Sequence, residues 1–284
     1  MTELERIITS SRTKTAKTKD NYLRSIKLFE TWAGTKRLTG QLVEDWRDEL
    51  AKNLAPASVN SHLSAVRFVS RRLGVLRSDL RLDFAHGVEW LPKGDQVQPP
   101  RVLTADECRR LLATCSTDGS LIGLRDYAAL QIGLHTGVRR EGLVTAQVPK
   151  GRDITFVLKG KRTTVTTPLG DRVLAPVRWW LKEAGIKSGP IMRRVSKPTL
   201  DHGPQIGDAL TTDGLYKALQ RRAAAAGIEG FHPHAMRHAF ITHARAAGVP
   251  EWRINQVTGH AQARMIDTYT HDMDPKPVGD YLPF

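Results

Sequence analysis

Near the C-terminal end of the chain, four side chains have the types and spacing that phosphoryl transfer would need. His234 and Arg237, in HPHAMRHAFITHA, are three positions apart, so a helix projects them from one face. The segment VTGHAQARMIDTYTH follows and carries His260 and, nine positions later, Tyr269. Upstream, HTGVRR places the pair Arg139-Arg140. A tyrosine phenolate that attacks phosphorus keeps the energy of a phosphodiester in a covalent link and can later leave again. With a reference pKa near ~10 the phenol is almost wholly protonated at neutral pH, so its surroundings must help remove the proton. The pentacoordinate phosphorane gathers negative charge on its non-bridging oxygens, which fixed guanidinium forks stabilise. Metal binding competes for the histidines, since His234 and His238 are at i, i+4. A HExxH site needs glutamate at its second position, where this chain has Ala235, and no cysteine pair or acidic third ligand lies nearby. Neither metal nor cofactor is expected.

The elements that must hold these residues belong to a chain of 284 residues with a formal charge of +14, 40% hydrophobic and 25% charged. That length supports two ordinary domains. The charge calls for a polyanionic partner, with nucleic acid first and an acidic membrane surface second. No apolar run reaches the ~18 residues of a spanning helix, and the first ten residues lack a signal-peptide core, so a cytoplasmic location is expected. Cys108 and Cys115 are seven apart in one predicted helix, beyond disulfide reach, and read as buried thiols.

Residues 1–20 end in SSRTKTAKTKD and read as a solvated, partly disordered leader. Three helical patterns follow. Tyr22, Ile26, Phe29 and Ala33 form one stripe; Thr39 is a candidate N-cap before Leu42, Trp46 and Leu50; Pro56 opens a third helix with Val59, Leu63, Val66 and Leu73 inward. The outer face of the third carries Asn60, Ser64, Arg67 and Arg71. Such a stripe is either a plain soluble exterior or a surface that reads base edges in the major groove. A fourth helical segment is expected within 77–90. Residues 91–102, with Pro92, Pro99 and Pro100, read as a linker. The boundaries are therefore 1–90, 91–102 and 103–284, with a tail from residue 272.

In the second domain, Thr104 and Glu107 form a capping box with Leu103 and Cys108 as its staple. A helix from about 120 runs into His135-Thr136-Gly137. The β-branched runs 153–158 and 163–167, separated by a KGKR turn, read as a hairpin. Helices are expected at about 174–184 and 211–226.

HxxRH, the later GH and the tyrosine nine positions on, together with HTGVRR upstream, resemble the signature of the tyrosine recombinases (phage integrases). The resemblance implies an α+β, mostly helical fold, with an all-α core-binding (SAM-like) N-terminal domain and a mixed α/β catalytic domain containing a small antiparallel sheet. It implies Tyr269 as nucleophile, Arg139 and Arg237 on the phosphate, and His234 and His260 as hydrogen-bond donors that assist proton movement. A lysine on the hairpin turn would protonate the leaving 5′-oxygen; Lys159 and Lys161 are both available, and Lys159 fits best. The family usually has an acid three residues after the first arginine, where this chain has Gly142; Glu141 is one position earlier. The expected partner is double-stranded DNA, cut and rejoined through a 3′-phosphotyrosine and a Holliday junction by a homotetramer assembled on DNA from monomers, with no membrane involved. A type IB topoisomerase uses nearly the same residues, and a non-catalytic DNA-binding regulator is the alternative from another class. The apolar end, Tyr281-Leu282-Pro283-Phe284, is expected to dock either on its own domain or on a neighbouring protomer.

Overall fold

A computed structural model describes residues 1–76, 83–92, 101–157, 164–196, 198–199, 202–258 and 277–284. The chain divides into two compact units, Met1–Gln98 and Pro99–Phe284. None of the described helices is long and apolar enough to cross a membrane.

The first unit contains α1 (Glu3–Thr9), α2 (Ala16–Ala33), α3 (Gly40–Ala51) and α4 (Pro56–Leu76). Its start corrects the reading of residues 1–20 as a solvated leader. Thr2 and Glu5 cap α1 reciprocally, and Leu4, Ile7 and Ile8 are buried. Leu4, Ile7 and Ile8 fall at i, i+3 and i+4, one helical face, so seven residues suffice when that face is covered. The basic run after α1 hides the stripe in any average over the segment. Phe29 and Trp46 meet edge-on at 5.0 Å in the core of this unit, and Val59, Leu63 and Val66 line α4. Thr39 caps α3 through the Leu42 amide, as its position predicts.

The helical segment expected within 77–90 does not extend into its described part. Residues 84–87 form a turn. Ser70 Oγ donates to Asp83 Oδ1 at 2.7 Å and accepts from the Ala85 amide at 2.7 Å, which fixes this turn on α4. Residues 77–82, and 93–100 of the linker, lie outside the described residues.

The second unit contains α5 (Ala105–Ser116), α6 (Leu121–Thr136), α7 (Arg140–Thr145), β1 (Asp153–Val157), β2 (Thr164–Pro168), α8 (Asp171–Glu183), β3 (Arg193–Val195), β4 (Ile206–Ala209), α9 (Thr212–Ala225), α10 (Pro233–Ala246) and α11 (Glu251–Thr258). Helix α6 is its axis. It is apolar nearly all round and buried from Gly123 to Thr136 except at Tyr127, as a helix enclosed by others must be. Charge fixes its first turns: Arg125 Nη2 lies 2.7 Å from Asp126 Oδ1, and Arg222 of α9 reaches Asp126 Oδ2 at 3.0 Å and Asp118 Oδ2 at 2.7 Å. The capping box of α5 forms as read, and Cys108 and Cys115 are buried free thiols, pushed up to about 12 and about 11 by burial first. Strands β1 and β2 pair antiparallel from Asp153↔Pro168 to Val157↔Thr164. A second antiparallel pair, β3–β4, was not legible, because RRV and IGDA are too short and too polar for a period-two signal.

The end of the chain packs on its own unit. A 3₁₀ turn over Val278–Tyr281 buries Val278 and Leu282 in a cluster with Phe240, Ala244, Val249 and Ile254. Deleting Val278–Phe284 is therefore expected to lower the melting temperature, since two buried aliphatic side chains contribute roughly 3–6 kcal/mol. A truncated chain that melts with the full one would contradict this docking.

Candidate active site

The end of α6 and the start of α10 converge through one arginine. Gly137 ends α6 with φ +59, and a Cβ there would stand 2.5 Å from Phe240 Cδ1, so both backbone and space require glycine. The freed Gly137 carbonyl accepts Arg237 Nη1 at 2.9 Å. The same nitrogen donates to the Thr258 carbonyl, also at 2.9 Å. Arg237 is only 4% exposed, and its proton affinity falls to about 10, first through burial and then through the charge of Arg139. It still carries its proton at neutral pH.

Arg139 is two residues past Gly137, in extended conformation at the N-cap of α7, and is half-buried. Two guanidiniums close enough to lower one's proton affinity gain when an anion enters between them. His234 occupies the first turn of α10, one turn before Arg237, and is exposed. Its proton affinity is lowered by desolvation, then by His238, His232, Arg139 and Arg237. The neutral imidazole is thereby favoured, a form that can both give and accept a proton. The rings of His232 and His238 each lie 6.4 Å from that of His234. His243 faces away from this cluster and meets the Leu103 carbonyl at 2.9 Å.

Gly142 is buried, and a Cβ on it would collide with Val138 Cγ2 and lie 3.7 Å from Phe156 Cβ. An acid at this position would displace Val138. Glu141 is half-buried, with Oε1 4.0 Å from Arg140 Nη2. Strand β1 is tied to α7 where the Val157 amide donates to Thr145 Oγ1 at 3.2 Å. Lys159 and Lys161 follow Val157, and His260 and Tyr269 follow Thr258; all four lie outside the described residues. Thr258 itself was missed by sequence reasoning. It acts through its carbonyl, which every residue type possesses, so only its place just before GH could have marked it.

The four residues of the α4 stripe differ in their surroundings. Arg71 is exposed. Ser64 Oγ donates to the Asn60 carbonyl at 2.9 Å, within the helix. Asn60 grips Leu91 twice, donating to its carbonyl at 2.8 Å and accepting from its amide at 3.0 Å. The Arg67 guanidinium lies over the Trp90 ring, 4.4 Å from its centroid.

Residues 101–275, more than half of the chain, match the Phage integrase family. Tyrosine recombinase XerD of Listeria innocua is 32% identical over 177 residues, 61% of this chain; the match spans 58% of that relative's length. Tyrosine recombinase XerD of Caulobacter vibrioides is 32% identical over 233 residues, covering 80% of this chain and 74% of that protein. Among solved structures, the XerH site-specific recombinase bound to palindromic difH substrate in a post-cleavage complex superimposes with a TM-score of 0.69 over 94% of this chain and 80% of that one. Its sequence is 17% identical, so this likeness concerns the fold. The mostly helical fold with small antiparallel sheets, the arginine-centred junction and these relatives agree: the chain belongs to the phage integrase family of tyrosine recombinases.

Proposed function

We propose that the chain is a site-specific recombinase that cuts and rejoins double-stranded DNA through a 3′-phosphotyrosine on Tyr269 and a Holliday junction. The observation that carries this reading is the convergence of Arg139, Arg237 and His234 at the junction of α6 and α10. Arg139 and Arg237 would hold the non-bridging oxygens, and the charge they bring together is matched by the charge that develops on phosphorus. His234 and His260 would donate to phosphate oxygens and help deprotonate the tyrosine. Lys159, with Lys161 as the alternative, would protonate the leaving 5′-oxygen. Because the covalent link conserves the phosphodiester's energy, this chemistry calls for neither nucleotide nor metal.

The two units suit a division of labour in which residues 1–90 bind DNA, 91–102 connect, and 103–284 catalyse. The likeness to a recombinase solved on its DNA substrate supports the DNA partner. Pairing two sites would require a homotetramer on DNA, built head to tail so that the ring closes, from chains monomeric in solution. A DNA substrate supports a cytoplasmic location. The test uses plasmids with paired or single copies of a site selected from the source DNA. Junctions and recombinants from paired sites alone are the expected products. Relaxation of any supercoiled plasmid by the monomer would point to a topoisomerase, and binding with no cleavage to a regulator.

A further inference from the structure

We infer that Trp90 is a positioning residue that holds Arg67 for reading a guanine edge, and that Asn60 serves as its support and does not contact DNA. The inference rests on the proposal that the first unit binds DNA. Three observations place these residues in one device. The central carbon of the Arg67 guanidinium lies over the Trp90 ring, 4.4 Å from its centroid. Residues 89–91 are held from both sides of Trp90: Arg47 Nη1 donates to the Glu89 carbonyl at 3.3 Å, and the Asn60 amide makes its two bonds to Leu91. Arg67 Nη1, although buried, has no hydrogen-bond partner among the described residues.

Stacking uses the face of a guanidinium and leaves its N–H edge free in the plane. With Nη1 buried, the fork left to meet guanine O6 and N7 as a bidentate pair is the Nε–Nη2 side. Holding the arginine in advance removes rotamer entropy that binding would otherwise cost. Trp90 is 48% exposed, an unusual position for so large an apolar ring unless its exposed surface or its stacked partner is used. Asn60 cannot offer its amide to adenine without releasing Leu91, and with it the tryptophan. On this view the stripe read from the sequence divides into residues that touch DNA, Arg67 and Arg71, and residues that set them in place.

The experiment measures base preference at every position of a duplex selected from a randomised library by the full chain, for the wild type and for Arg67→Ala, Trp90→Ala, Trp90→Phe and Asn60→Ala. Arg67→Ala is expected to flatten a guanine preference at one position by roughly 5- to 150-fold. Trp90→Ala and Asn60→Ala should weaken the same position and no other, Trp90→Phe should retain it, and the salt dependence of binding should stay unchanged. Melting curves of each variant check the fold. A Trp90→Ala chain with an unaltered preference would overturn the inference, as would a loss spread over all sequences with a shallower salt dependence, which marks a phosphate contact. Failure of the wild type to select any duplex would instead remove the DNA-binding proposal itself.

Discussion

Replacing Arg237 with alanine is expected to slow DNA cleavage by roughly 10²–10³, the usual cost of losing one preorganised donor to a developing anion. The size follows from its placement. The guanidinium is buried, already fixed by the Gly137 and Thr258 carbonyls, and needs no reorganisation when charge forms on phosphorus. Lysine should restore little, because a point charge on a flexible stem cannot bridge two carbonyls and present a fork together. The substitution also strips both carbonyls of a donor, at about 1–3 kcal/mol for each group left buried and unsatisfied. Single-turnover cleavage must therefore be read beside a melting curve. A folded Arg237→Ala chain that cleaves at the wild-type rate would remove this arginine from the chemistry.

Tyr269→Phe should have the larger effect: no covalent adduct at all, with DNA binding nearly intact. Only the phenolic oxygen is lost, and no neighbouring tyrosine in the sequence shares its setting after GH. A denaturing gel of protein incubated with a nicked suicide duplex reads this directly. An adduct formed by the phenylalanine chain would mean that the nucleophile lies elsewhere.

What the sequence disclosed, and what it hid, follows from the kind of signal each feature leaves. Helices with a strong stripe and a side-chain cap were legible: Thr39 and Thr104 each sit at a helix start and accept the backbone amide three residues on. Arg139, His234 and Arg237, which residue type singled out, are brought together at one junction. The site was not legible where the backbone does the work. The carbonyls of Gly137 and Thr258 fix Arg237, and a carbonyl leaves no mark in a sequence. Helix α1 was obscured because its stripe is short and borders a strongly basic run. The turn at 84–87 is held by Ser70, whose hydroxyl accepts the Ala85 amide and donates to Asp83, a long-range exchange that local periodicity does not report. The same blindness affected Asn60. On a helical wheel it faces outward like a base reader, yet its amide closes on a segment 31 residues away. An outward position on a helix thus specifies solvent or a partner, and the partner can be the chain itself.

Tyr269 is proposed to carry the broken strand. The chain would be incubated with the suicide duplex, digested with trypsin and nuclease, and the nucleotide-bearing peptide sequenced by mass spectrometry. The expected products are a nucleotide joined through its 3′-phosphate to Tyr269 and a free 5′-hydroxyl on the departing strand. Attachment to any other residue, or cleaved DNA ending in a 5′-phosphate with no protein attached, would contradict this assignment.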